Sequence, residues 1–277
     1  MSCRVLKVSS SGYYRWCQQE EARKKKAAEE QRLTELVEKI FYGSNKAYGS
    51  PRVYDILLGL NENCGVNKVA AIMRKNDLRS VRRLKYRPTT DSNHKLPVAP
   101  NLLMQDFSTN GINQIWLSDI TDIKTRAGIS YLAAVIDLHS RRAIGWHVSK
   151  RRDADLVVTA LKMALQHRDT PENLVFHSDQ GSQYVSGKCL DLLKLHDITT
   201  SMSRRANCWD NSPMESFFAT FKTEFYYQQD FKDHGEATLG IFYWMEATYN
   251  NTRIHTSIGR ITPAEFERRL NLADSDV

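Results

Sequence analysis

Residues 114–138 read QIWLSDITDIKTRAGISYLAAVIDL, and this run decides the fold. Gln114 to Lys124 and Ile129 to Leu138 are rich in Ile, Leu, Val, Trp, Tyr and Thr, side chains that suit a pleated, half-buried surface. Arg126-Ala127-Gly128 between them is a turn signal, so the pair predicts a β-hairpin. Asp119 stands inside the first of the two strands.

Working towards the C-terminus, Arg142 to Ser149 is a third β-rich run. Asp155 to Gln166 then changes period, with Leu156, Val157, Ala160, Leu161, Ala164 and Leu165 on one helical face. Leu174 to Asp179 predicts a fourth strand, Ser186 to His196 a helix, and Ile198 to Ser203 a short strand. Three strands followed by helix, strand, helix, strand and helix is the element order of an α/β, RNase H-like core. We place that core at residues 111–270, with 271–277 as a tail.

Working towards the N-terminus, residues 79–110 read as a linker. A basic run, Arg79, Arg82, Arg83, Lys85 and Arg87, is followed by Pro88, Pro97 and Pro100 among polar residues. Arg82, Arg83 and Lys85 are candidate phosphate contacts, although a charge run also serves as a solvated face. Residues 29–78 predict three short helices. The first carries Leu33, Leu36, Val37, Ile40 and Phe41. The second starts at Ser50-Pro51, with Ser50 as N-cap, and carries Val53, Ile56, Leu57 and Leu60. The third carries Val69, Ile72 and Met73. Tight connections make this a helix-turn-helix-like bundle, with a plain three-helix scaffold as the alternative. Residues 1–28 are a helical lead-in.

Composition bounds the function. The 277 residues carry a net charge of +7, which favours an anionic partner such as nucleic acid. Five cysteines at wide spacing, with no CxxC, argue against a disulfide framework or a cysteine zinc site and fit a reducing cytoplasm. The longest apolar stretch, near Tyr131 to Leu138, contains Asp137 and is too short to span a bilayer, so no membrane partner is expected.

Two further carboxylates join Asp119 by context. Asp179 ends the fourth strand, in His177-Ser178-Asp179-Gln180-Gly181. Glu215 opens a helix, in Asp210-Asn211-Ser212-Pro213-Met214-Glu215. Between them lie 35 residues, 180–214. The chain resembles the second-frame, catalytic proteins of bacterial insertion-sequence transposases, relatives of retroviral integrases. The resemblance rests on Ala47-Tyr48-Gly49-Ser50-Pro51-Arg52, Asn113-Gln114-Ile115-Trp116, Asp137-Leu138-His139-Ser140-Arg141-Arg142, Tyr249-Asn250-Asn251-Thr252-Arg253 and Thr262-Pro263-Ala264-Glu265-Phe266. It implies a DDE-type polynucleotidyl transferase whose catalytic, metal-holding residues are Asp119, Asp179 and Glu215, with the family's 35-residue gap intact.

Moving a DNA strand requires attack on a phosphodiester, and two magnesium ions can both activate the attacking oxygen and stabilise the leaving one. The resemblance therefore implies Mg2+, two ions, with Mn2+ able to substitute. Glu215 also has a structural alternative, because Ser212-Pro213-Met214-Glu215 fits a capping box. Lys222, seven residues on, lies about 20° from Glu215 around the helix. In the family a basic residue there contacts DNA, and the alternative is a surface lysine. His177 shares the strand face of Asp179, as a DNA contact or as a structural histidine. Asp122 stands where relatives carry an aromatic residue, and strand alternation points it away from Asp119. Arg253-Ile254-His255 departs from the family's Arg-Pro-His.

The implied partners are DNA, as element ends and target, an upstream-frame helix-turn-helix segment, and further copies of the chain on DNA. That upstream segment is expected to be missing from this chain, whose opening residues resemble the stretch just downstream of it in the fused protein. A catalytically inactive DNA-binding regulator or relic is the competing reading, and a nuclease without strand transfer is a third.

Overall fold

The computed structural model describes residues 9–81, 98–168, 172–205 and 207–275. The chain divides into two compact units, residues 1–81 and 82–277.

The first unit is helical: α1 (Ser10–Gln18), α2 (Glu20–Gly43), α3 (Ser50–Gly59) and α4 (Val66–Lys75). Leu33, Val37, Phe41, Val53, Leu57, Val69, Ile72 and Met73 are buried together, joined by Tyr48 and Leu78. The helical spacing of apolar residues thus becomes one shared core. Ser50 is not the cap of α3. The helix begins one residue earlier than expected, with Gly49 before it and no side-chain cap, and Pro51 occupies the first turn, where a missing N–H costs nothing. The bundle holds the chain as far as Val81, whose N–H donates to the Lys46 carbonyl at 2.9 Å.

The second unit is built on a five-stranded sheet: β1 (Ile115–Thr125), β2 (Gly128–Asp137), β3 (Ala143–Ser149), β4 (Val175–Ser178) and β5 (Thr199–Met202). The spatial order is β3-β2-β1-β4-β5. β1, β2 and β3 are antiparallel, whereas β4 and β5 run parallel to β1. Gly128, at φ 133°, turns the hairpin between β1 and β2.

Helices cover both faces, so the strands are apolar on both sides. Trp116, Ile120, Val135 and Ile144 pack on α5 (Ala154–His167) and α6 (Gly187–Leu195). Leu117, Ile123, Leu132 and Ile136 pack on α7 (Ser212–Glu224) and α8 (His234–Tyr243). α8 continues as a π-helical segment, Trp244–Asn250, and α9 spans Pro263–Ser275. At Gly145 the sheet and α5 meet backbone to backbone: a Cβ there would lie 2.2 Å from the Ala160 carbonyl oxygen.

The expected linker 79–110 is not all linker. Met202 N–H donates to the Pro100 carbonyl at 3.3 Å, and Leu102 N–H donates to Ser201 Oγ at 2.9 Å. Leu103 is buried in the α7 core and Phe107 packs against it. These two apolar anchors, set among polar residues and prolines, fasten the segment to the core. Among the described residues no helix is long and apolar enough to cross a membrane.

Candidate active site

The sheet brings the first two carboxylates together. In the β1–β4 ladder Leu117 pairs with His177, and that pair is its last. Two residues further along each chain come Asp119 and Asp179, the latter just past the end of β4. The Asp179 carboxylate accepts the Gly181 N–H at 2.9 Å, which fixes the turn leaving the strand. The third carboxylate comes from α7. A 3-10 turn, Cys208–Asn211, leads into that helix, and Asn211 Nδ2 donates to the Ser118 carbonyl at 3.2 Å. The residue before Asp119 is thereby tied to a residue four before Glu215.

The capping-box alternative for Glu215 does not hold. Ser212 already has helical backbone angles, the residue before α7 is Asn211, and its side chain makes no cap. Asp119, Asp179 and Glu215 are all half-buried, protected yet reachable.

Asp119 feels both of the other carboxylates. The Asp119 carboxyl is pushed well above the usual carboxylate range, first by burial and then by repulsion from Asp179 and Glu215. The Ile120 N–H, donating at 2.7 Å, and Arg152 oppose the rise. Tyr184 lies fully buried beneath, its hydroxyl 2.9 Å from Ser118 Oγ. Burial and the carboxylates of Asp119 and Asp179 keep it protonated. Lys222 is half-buried on α7. Burial lowers its pKa, and attraction from Asp119 and Asp122 opposes that lowering. Asp122 is therefore nearer the site than alternation suggests. It lies 3.7 Å from Arg152, which also acts on Asp119. Alternation assigns the two carboxylates to opposite faces, but the β4 ladder has ended by this point of β1, so Arg152 reaches both.

His177 is corrected by the structure. It is completely buried, with Nδ1 2.9 Å from Ser201 Oγ and Nε2 2.9 Å from the Asp210 carbonyl and 3.2 Å from Ser203 Oγ. Burial pushes its pKa down to about 4. A neutral ring with both nitrogens engaged inside the core is not placed to touch DNA. Arg82, Arg83 and Lys85 lie outside the described residues.

Asp210, in the turn that leads into α7, is a buried carboxylate that sequence reasoning missed. Fully buried, it accepts from Arg204 Nε and Nη2 at 2.8 and 2.7 Å, from the Arg204 N–H at 2.9 Å, and from Asn101 and Gln105 at 2.8 and 2.9 Å. The Arg204 guanidinium holds its carboxyl far below the usual range. The available signal was an aspartate directly before the helix that carries Glu215.

Among the described residues no three acidic, imidazole or thiol groups close on one point as ligands of a single ion. The donor set still suits magnesium, which takes hard oxygen ligands, keeps several waters and needs only one or two carboxylates. Three mutually repelling carboxylates, with Asp119 sensing both others, would be relieved by added positive charge.

Known proteins resemble this chain over most of its length. Residues 110–208 and 196–263 match two descriptions of the integrase core domain, and residues 28–86 match an HTH-like domain. Transposase InsF of insertion sequence IS3A from Escherichia coli K12 is 40% identical over 271 residues, covering 98% of this chain and 94% of that protein. A 31 kDa protein of insertion element IS600 from Shigella sonnei is 37% identical over 267 residues, covering 96% of this chain and 97% of its own length. The catalytic core of HTLV-2 integrase in complex with magnesium superposes with a TM-score of 0.44 at 15% identity, over 56% of this chain and 95% of that one. With identity of this level along almost the full length of both chains, the protein belongs to the family of IS3-type insertion-sequence transposases, DDE-type polynucleotidyl transferases that act on DNA.

Proposed function

We propose that Asp119, Asp179 and Glu215 are the catalytic carboxylates of this transposase and hold two divalent ions, magnesium with manganese able to substitute. The observation that supports the reading is geometric: Asp119 and Asp179 follow the last β1–β4 pair by two residues each, the Asn211–Ser118 hydrogen bond ties the start of α7 to the residue before Asp119, and Asp119 is repelled by both other carboxylates. When bound, such ions activate the attacking oxygen and stabilise the departing one. The chain's own part is to hold the three carboxylates at fixed spacing, to keep Tyr184 neutral beneath them, and to present Lys222 to the DNA backbone.

The substrates in this reading are element ends, cut by water, and target DNA, attacked by the freed 3′ hydroxyl. The catalytic core is residues 111–270 and the DNA-facing bundle is residues 29–78. The working form is a multimer on DNA, completed by an upstream-frame helix-turn-helix segment. An inactive regulator would have no use for the carboxylate cluster, and its retention favours the enzyme.

Asp119→Asn, Asp179→Asn and Glu215→Gln keep side-chain volume and remove charge. Each is expected to abolish magnesium-dependent cleavage of an end oligonucleotide while DNA retention and the thermal transition stay near wild type. Near-normal cleavage by any one variant removes that residue from the site. A joining assay with a pre-cut end distinguishes strand transfer from simple nuclease action.

A further inference from the structure

Residues 98–110 precede β1 and carry none of the three carboxylates, yet two of their side chains end on Asp210. Asn101 Nδ2 donates to Asp210 Oδ2 at 2.8 Å, and Gln105 Nε2 donates to Oδ1 at 2.9 Å. Asp210 sits in the 3-10 turn Cys208–Asn211, which opens directly into α7. Its neighbour Asn211 bonds the Ser118 carbonyl, beside Asp119. The two amides therefore bear on the short piece of backbone that links Glu215 to Asp119.

The backbone is bent to make this contact. Met104 and Gln105 are adjacent, neither is glycine, and both are left-handed, at φ 47° and 68°. Residues with a Cβ resist that conformation, and it persists where the surroundings over-determine it. Here they do. Asn101 Oδ1 accepts the N–H groups of Leu103 and Met104, both at 3.0 Å, and Leu103 is buried in the core that α7 shares. On the other side, Leu102 N–H donates to Ser201 Oγ, the same oxygen that contacts His177, whose other ring nitrogen meets the Asp210 carbonyl. The ring of contacts is closed. A plain connector would leave its amides in water and its backbone in an ordinary region.

We infer that Asn101 and Gln105 are positioning residues for catalysis: by holding Asp210 they fix the turn that sets Glu215 against Asp119. The inference rests on the reading of those two carboxylates as catalytic. It makes the last part of the connecting segment a working part of the site and not only a tether.

The test uses the full-length chain. Asn101→Asp keeps the oxygen that caps Leu103 and Met104 but turns the amide donor into a carboxylate facing Asp210. Gln105→Glu does the same at the second contact, and Gln105→Ala removes one bond without adding charge, as a milder variant. Two quantities are read: hydrogen exchange at the amides of residues 207–215, and the single-turnover cleavage rate alongside the Kd for the same DNA. We expect faster exchange at 207–215 with exchange in the bundle unchanged. Cleavage should slow roughly tenfold or more, as for misplaced reacting groups, while Kd stays within about twofold, the pattern of an interaction felt in the reaction and not in binding. Adding Asp210→Asn to Gln105→Glu restores a donor–acceptor pair and should recover part of the rate.

Unchanged exchange at 207–215 overturns the inference, and so does faster exchange with an unchanged cleavage rate. If Asp119→Asn cleaves like wild type, the reading of the carboxylates fails. In that case altered exchange with unaltered cleavage in the Asn101 and Gln105 variants still decides the positioning role separately.

Discussion

A methyl group on residue 181 would lie 2.9 Å from Asp179 Oδ1 and 3.0 Å from Gln183 Oε1. Gly181 is thus bare because the Asp179 carboxylate occupies the space where its side chain would be, held there by the Gly181 N–H. Gly181→Ala should leave the fold intact, since the close contacts of the added methyl are the ends of two side chains and Tyr184 Cδ2 stays at an ordinary 3.5 Å, but should turn the carboxylate away. A misplacement of ~1 Å at a reacting centre costs on the order of 100-fold in rate. Single-turnover cleavage and thermal melting measured together check this, and a variant that cuts like wild type would show that the carboxylate has room to spare. Lys222 makes a different kind of contribution. It is half-buried beside Asp119 and Asp122, and in our reading its ammonium meets one phosphate. Lys222→Ala should weaken DNA binding and reduce the salt slope by about one unit. A slope that does not change would assign Lys222 to holding the acidic residues in place.

At the scale of elements, the turn before α7 depends on Asp210. Its folded pKa is depressed, chiefly by the Arg204 hydrogen bond, so the unfolded chain takes up the proton first. The stability it gives is therefore fully present above about pH 4, the unfolded value, and is lost as pH falls below that towards the folded value. His177 faces the same turn through the Asp210 carbonyl, and burial pushes its pKa down to about 4, so what its neutral ring contributes is lost as pH falls towards that value in wild type and variant alike. Asp210→Asn should cost about 2 kcal/mol at neutral pH, below the ~3–5 kcal/mol of a fully buried broken pair because Arg204 is half in water. Denaturant unfolding from pH 6 to pH 2 checks it: the cost should shrink as pH falls below 4, and a cost independent of pH would contradict the assignment.

Why the strands and the carboxylates could be read from the sequence, and Asp210 could not, is a matter of range. β1 and β2 announce themselves within twenty-five residues through β-branched runs and one glycine turn, whereas the three carboxylates rest on the family resemblance and its 35-residue gap. The partners of Asp210 stand at 101, 105 and 204, and nothing near residue 210 signals the first two. Alternation assigns His177 a face but says nothing of depth. α8 went unread because its buried residues are only Ala237 and Ile241, while Leu239, Phe242 and Tyr243 are exposed, so its apolar pattern points the wrong way.

For the molecule as a whole, a net charge of +7 and a helical bundle give attraction to phosphates but few evident readers of base edges. This chain alone should bind DNA weakly, with strong salt dependence, and discriminate element ends poorly. If the proposed upstream helix-turn-helix segment completes the protein, specific transposition should require it. Competition between a terminal repeat and a scrambled duplex is the measurement. A preference of roughly 1,000-fold, the low end of specific protein–DNA discrimination, would show that residues 29–78 read sequence unaided.

The far end of α7 carries one more consequence. Glu224, its last residue, is gripped by the buried Arg253, whose Nε and Nη2 donate to it at 2.8 and 2.9 Å. The C-terminal end of the helix bearing Glu215 is therefore held by a residue 29 positions further along the chain. The clamp makes that helix answer to both ends of its own sequence neighbourhood: residues before it hold its first turn, and one well after it holds its last.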